Sequence, residues 1–95
     1  MGPTCAILLD ADDELTLDSI DSFLESIADR IERTRKGRVW DIWVRDRPVH
    51  VQIVGTPPEA ILSAGCNQPE DYEVLRDLAK GIVDTVGGFA SELEK

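Results

Sequence analysis

The chain has 95 residues, of which 42% are hydrophobic and 31% are charged, and its net charge at pH 7 is −9. This length suits one domain, and the composition is that of an ordinary globular protein. The excess of acids argues against binding to nucleic acid or to anionic membranes, because both would repel the chain. No apolar stretch approaches the roughly 18 residues that a membrane-spanning helix needs.

The first predicted element is a strand from Thr4 to Leu9, which is almost continuously apolar. Such a run is typical of a strand that lies inside a sheet with both faces covered. No basic segment precedes it and acids follow it, so it lacks the pattern of a signal peptide, and we expect a cytoplasmic protein. The two cysteines, Cys5 and Cys66, are predicted to be buried thiols, with a disulfide between them as the alternative.

An acidic loop, Asp10 to Glu14, follows this strand. Carboxylate oxygens are the ligands that Mg²⁺ and Ca²⁺ prefer, so a small metal-dependent module at this loop is one hypothesis for the function. The spacing is not that of an EF-hand, because Leu15 replaces the required glycine and Asp21 stands where a glutamate is needed. A solvated loop ahead of a helix is the simpler interpretation, and we expect no metal and no other cofactor.

A first helix is predicted from Leu17 to Lys36, with Thr16 as its N-cap and Gly37 as the residue that ends it. Its apolar residues recur at helical spacing and form one stripe. The members of this stripe are Ile20, Phe23, Leu24, Ile27, Ala28 and Ile31.

The most regular pattern of the chain runs from Arg38 to Val54, where apolar and polar residues alternate on both sides of a turn. This alternation predicts a β-hairpin, which we expect to turn at Asp46-Arg47. The expected pairs on its apolar face are Val44–Val49, Ile42–Val51 and Trp40–Ile53. The expected pairs on its polar face are Trp43–His50 and Asp41–Gln52, with Arg45 beside them.

The remaining elements are a short strand and a second helix. Glu59 to Gly65 is predicted to be a strand after the Pro57-Pro58 break, with a helix as the alternative because its small residues also allow one. The helix is expected to begin near Gln68-Pro69, with Asn67 and Glu70 at capping-box spacing, and to end at Gly87-Gly88. The segment 89–95 is polar apart from two residues and is expected to fray.

These elements predict a single α+β domain over residues 1–95, with an ordered core from 3 to 88. The order is β-α-β-β-β-α, and each helix has one apolar stripe to bury. The simplest packing is a four-stranded, mostly antiparallel sheet with both helices on one face. The face without helices would then expose the polar side of the hairpin.

Two functional classes are disfavoured by particular residues. The helix, three strands and helix from Leu17 to Val86 are similar in order to a double-stranded-RNA-binding domain, but three carboxylates within 69–73 stand where that family contacts phosphate.

His50 is the only histidine, so one chain cannot form a multi-histidine metal site. A catalytic triad would need Cys5, Cys66 or a serine near His50, and no nucleophile-elbow motif is present. The sequence therefore favours binding over catalysis, and we name no catalytic residue.

The candidate site is the polar face of the hairpin, because tryptophan combines a large apolar area with a polar group and is enriched at protein interfaces. The predicted site residues are Trp43, His50, Asp41, Arg45 and Gln52, with Trp43 as the apolar anchor. The expected function is a small acidic protein-interaction module, of the kind that immunity proteins, inhibitors, adaptors and chaperones represent. The alternative is a homodimeric structural subunit that buries the same face. We do not expect a small-molecule ligand.

Overall fold

The computed structural model describes residues 3–34, 38–65 and 68–90, which form two helices and one antiparallel sheet. The elements in chain order are β1 (Thr4–Leu8), α1 (Glu14–Ile27), β2 (Arg30–Thr34), β3 (Val39–Val44), β4 (Arg47–Val54), β5 (Glu59–Ala64), α2 (Pro69–Val86) and β6 (Phe89–Ala90). The strands lie in the order β2-β3-β4-β5-β1-β6. The predicted α+β class with two helices is confirmed. The sheet differs in detail from the predicted four strands, because β2 and the two-residue β6 extend it at its two edges. In the described part of the chain, neither helix is long and apolar enough to cross a membrane.

Helix α1 begins earlier and ends much earlier than the sequence predicts. The Oδ1 atom of Asp13 accepts a hydrogen bond from the backbone N–H of Thr16 at 2.9 Å, so Asp13 is the N-cap and Thr16 already lies in the helix. The backbone at Ala28 is extended, which ends the helix. Residues 30–34 then pair with β3 as strand β2. Pairing across the sheet outweighs the helical propensity of the arginines and the glutamate in this segment.

The hairpin of β3 and β4 turns at Arg45-Asp46, one residue before the predicted position. Both turn residues have positive φ, 54° and 63°, as in a two-residue type I′ hairpin turn. The register is therefore shifted by two residues, and Asp41 pairs with His50 while Trp43 pairs with Pro48. Because side chains alternate with period two, the residues of the two strands keep their predicted faces although their predicted cross-strand partners are wrong.

The core lies between the sheet and the two helices. Trp40 and Ile42 of β3 are fully buried and pack with Ile20 and Leu24 of α1 in one cluster. The buried residues of α2 in the same cluster are Val74, Leu75, Leu78, Ala79 and Ile82. Both helices therefore cover the same face of the sheet, as predicted. The indole N–H of Trp40 donates a hydrogen bond to Asp21 Oδ1 at 2.8 Å, which joins the sheet to α1.

The last part of the chain follows the prediction for β5 and α2 and departs from it at the end. Helix α2 begins at Pro69, and the backbone N–H of Gln68 donates to Asp71 Oδ2 at 3.4 Å. Asp71 is 1% exposed. The segment expected to fray begins with Phe89, yet residues 89 and 90 pair with Leu8 and Ile7 of β1. The N-cap of α2 is Gln68, with Asp71 as its capping-box partner, so the predicted pair of Asn67 and Glu70 is wrong by one residue. Residues 91–95 lie outside the described residues, and so does Cys66, with its predicted disulfide.

Candidate functional site

The open face of the sheet, which we define as the face opposite the two helices, is the candidate site. In β3, for example, Trp40 and Ile42 point to the helices, so Asp41 and Trp43 lie on the open face. No helix covers the open face within residues 3–34, 38–65 and 68–90. The residues of the open face are, by strand, Arg30, Glu32 and Thr34 of β2; Val39, Asp41 and Trp43 of β3; Pro48, His50, Gln52 and Val54 of β4; Glu59, Ile61 and Ser63 of β5; Thr4, Ala6 and Leu8 of β1; and Phe89 of β6.

One end of the open face is built around Trp43. The register pairs Trp43 with Arg30 of β2, and the Arg30 guanidinium carbon lies 4.7 Å from the centre of the indole ring. A cation over a tryptophan face at this distance contributes about 0.5–1 kcal/mol at an exposed site. Arg30 also contacts Glu32 Oε1 at 2.7 Å. The indole therefore packs beneath an arginine rather than against His50 as predicted.

His50 and Asp41 form a hydrogen-bonded pair next to this end. The Nδ1 atom of His50 lies 2.7 Å from Asp41 Oδ1, and the two side chains are 42% and 44% exposed. The carboxylate orients the ring and leaves Nε2 for other contacts. Both residues line a groove of about 400 Å³ together with Trp43, Pro48 and Ser63. Three predicted site residues thus lie together, although their contacts differ from the predicted ones.

Asp41, His50 and Ser63 occupy one row across β3, β4 and β5. A serine hydrolase arranges its acid, base and hydroxyl side chains in the same order. The sequence alone could not place Ser63 beside His50, because their proximity depends on the pairing of β4 with β5. The acid–base contact is formed, but Ser63 and His50 do not form a hydrogen bond with each other. A nucleophile is activated by such a contact with its base. The row therefore acts as a polar patch of the groove in this conformation.

The opposite end of the open face is apolar. Val54, Glu59, Leu8 and Phe89 are consecutive cross-strand neighbours on β4, β5, β1 and β6. Val54 is 41% exposed, Leu8 45% and Phe89 75%, and the described chain has only two other exposed large hydrophobic residues. These three residues come from distant parts of the sequence, so only the strand order could have identified them as a group.

The remaining two predicted site residues have different positions. Gln52 lies on the open face between Val39 and Ile61. The side chain of Arg45 extends to the helix side, where its guanidinium contacts Asp77 Oδ2 of α2 at 3.3 Å. Arg45 is therefore not brought together with the other four residues.

Two of the four carboxylates of the acidic loop have structural partners. Asp12 forms an ion pair with Arg38 at 3.0 Å, and Asp13 caps α1. The backbone hydrogen bond from Thr16 lowers the pKa of Asp13 below its usual value. In the described residues, no group of three or more His, Cys, Asp or Glu side chains is arranged to hold a metal ion.

A second groove of about 510 Å³ lies on the helix side. Its lining includes Phe23, Ile27, Val44 and Gly81, and the ion pair between Arg45 and Asp77 also borders it. The sequence did not point to this groove, because α1, the hairpin turn and α2 meet only in the folded chain.

Comparison of the chain with protein-family models, with curated proteins and with solved structures found no match. The geometry of the open face is therefore the basis for the functional proposal.

Proposed function

We propose that this protein is a protein-interaction module and that the open face of its sheet binds a protein partner. The main observation is that three of the five exposed large hydrophobic side chains in the described residues, Val54, Leu8 and Phe89, lie at one end of the open face. Leu8 and Phe89 are cross-strand neighbours, and Val54 lies on the other side of Glu59 from Leu8. Scattered apolar residues are normal on a protein surface, whereas adjacent ones mark interaction surfaces.

The other end of the face supports the same proposal. Tryptophan and arginine are the residues most enriched at the centres of protein interfaces, and here Trp43 and Arg30 are already stacked on each other. A side chain that is held in place before binding loses less entropy when the partner docks. The polar row of Asp41, His50 and Ser63 supplies hydrogen-bonding groups between the two ends.

The extent of the open face also favours a protein over a small molecule. Small-molecule sites enclose most of their ligand in a concave pocket. The open face instead extends across six strands, and its groove is bordered by half-exposed side chains such as His50 and Asp41.

Affinity capture with matched variants tests the proposal. The open-face variant is Leu8→Thr/Val54→Thr, because threonine suits a strand and removes apolar area without disturbing the pleat. The control is Leu15→Thr, which makes the same change at a residue of α1 that is 75% exposed. We expect a protein from the producing cells, or a second tagged copy of the chain, to be retained by wild type and control and lost by the open-face variant. If all three folded proteins retain the same partners in equal amounts, the proposal is wrong.

A further inference from the structure

We propose that the partner of the open face is a second copy of this chain, with two open faces packed on each other around a two-fold axis. This inference rests on the proposed function, because it names the occupant of the same surface. Three features of the open face carry it, namely its charge, the difference between its two ends and its size.

The acids of the protein are concentrated on the helix side. Helix α1 contains four carboxylates and no basic residue, and α2 contains five carboxylates and two basic residues. The open face has three carboxylates, Glu32, Asp41 and Glu59, with one arginine, Arg30. A basic partner would be attracted to the helices rather than to this face. Two copies that each carry a charge of −9 repel each other least when their helices point outward.

The two ends of the open face complement each other. Arg30 and Trp43 stack at one end, where Arg30 also contacts Glu32, and Glu59 and Leu8 belong to the other end. A face-to-face dimer whose two-fold axis runs obliquely between the sheets exchanges these ends. Arg30 of each copy then lies on Glu59 of the other, twice in one dimer.

The spacing of the sheet makes this pairing specific. Neighbouring strands are about 4.8 Å apart, and successive residues on one face are about 6.7 Å apart along a strand. On this grid, the axis that places Arg30 of one copy on Glu59 of the second copy also places Trp43 over Ile61 and Ala6 of the second copy. The strands of the two sheets then cross steeply, close to the orthogonal class of sheet packing.

The size of the face suits a reversible dimer. Without the two-residue β6, the other five strands and four rows of side chains span roughly 20 by 20 Å, or roughly 400–500 Å² per copy. The two copies together bury roughly 800–1,000 Å², which is near the lower limit for specific interfaces, so we expect a reversible dimer.

Sedimentation equilibrium of charge-reversed variants tests the inference. The average mass of the wild-type protein should rise with concentration from the chain mass of 10.5 kDa to twice that value. Arg30→Glu and Glu59→Arg should each weaken the dimer about tenfold or more, because each homodimer then holds two like-charge contacts. An equimolar mixture of the two variants should dimerise again, since both contacts of the heterodimer join opposite charges. This recovery cannot arise from an effect inside one chain, such as the loss of the Arg30 contact with Trp43.

Two uncharged variants keep the test decisive if a charge reversal disturbs folding. Leu8→Thr should weaken the dimer, and Leu15→Thr should leave it unchanged. A wild-type protein that stays at 10.5 kDa up to about 1 mM overturns the inference. A dimer that neither charge reversal nor Leu8→Thr weakens also overturns it, because another surface then holds the copies together. If wild type is monomeric but the open-face variant still loses a captured protein, only this inference fails and the proposed function stands.

Discussion

Asp21 is predicted to be the surface carboxylate that contributes most to stability, because it accepts hydrogen bonds from both a buried donor and an arginine. Its Oδ1 atom accepts hydrogen bonds from the Trp40 indole at 2.8 Å and from Arg33 Nε at 2.6 Å. Trp40 is fully buried, and the Asp21 carboxylate is the acceptor of its N–H. Asp21→Ala therefore leaves a buried donor without a partner.

The expected cost can be worked from these contacts. An unsatisfied buried donor costs about 1–3 kcal/mol, and an exposed arginine–carboxylate pair contributes about 0.2–1 kcal/mol. We expect Asp21→Ala to lower the free energy of unfolding by about 2 kcal/mol, out of the 5–10 kcal/mol typical of a domain of about this size. Asp21→Asn should cost less, since the amide oxygen still accepts from Trp40.

Urea denaturation followed by far-ultraviolet circular dichroism measures the effect. Glu25→Ala is the matched control, because Glu25 contacts Arg33 at 2.6 Å but accepts nothing from Trp40. We expect the control to cost less than about 1 kcal/mol. If Asp21→Ala costs no more than Glu25→Ala, the indole hydrogen bond does not stabilise the fold and the reasoning is refuted.

The same comparison has a defined pH dependence. The hydrogen bond from Arg33 lowers the pKa of Asp21 in the folded protein, and the bond from Trp40 adds to this effect. A carboxyl whose pKa is lowered by folding contributes its stability fully above the unfolded pKa of about 3.9 and loses it as the pH falls through the folded value. The difference in stability between wild type and Asp21→Ala should therefore be constant from pH 7 to about pH 5 and shrink below about pH 4.

Three further changes test the face assignment, the helix packing and the hairpin turn. Trp40→Ala should lower the free energy of unfolding by about 3–5 kcal/mol and Trp43→Ala by clearly less, and equal losses in urea denaturation would show that the two faces are misassigned. Gly81→Ala should destabilise the protein by about 1 kcal/mol although alanine favours a helix, because a Cβ there would overlap the ring of Phe23. In a Phe23→Ala background the same change should stabilise, and a double-mutant cycle that shows no such reversal contradicts the contact. Arg45→Gly should leave the free energy of unfolding unchanged or raise it by up to about 1 kcal/mol, because Arg45 has a φ of 54°, which glycine adopts more readily than arginine. A loss of about 1 kcal/mol in thermal unfolding would instead place Arg45 in a strand.

The alternating pattern of the hairpin predicted its faces but not its partners. Burial depends on which side of the sheet a residue faces, and a period of two shows that side directly. The register depends on the turn, and neither Arg45-Asp46 nor Asp46-Arg47 is a preferred sequence for a two-residue hairpin turn. The predicted turn was therefore displaced by one residue, which moved every cross-strand pair by two.

Strand β2 could not be recognised from its own residues. Arg30 to Thr34 contains two arginines and a glutamate, and only Ile31 among its five residues is a large apolar side chain. Charged residues are typical of an edge strand, where they prevent pairing with other molecules. In the sequence the same residues continue the charge pattern of a helix, so the segment was assigned to α1.

The open face owes its form to contacts between distant segments. The hairpin alone supplies Trp43, His50 and Asp41, and the sequence identified these as site residues. Arg30 reaches Trp43 only because β2 pairs with β3, and Phe89 reaches Leu8 only because β6 pairs with β1. Both added strands lie at the edges of the sheet. Strand β2 adds a cation at one corner of the open face, and β6 adds an apolar side chain at the diagonally opposite corner. When a surface has two different ends, each end of one copy can contact the opposite end of a second copy. A hairpin with one central tryptophan lacks this second end and would bind its own copy less specifically.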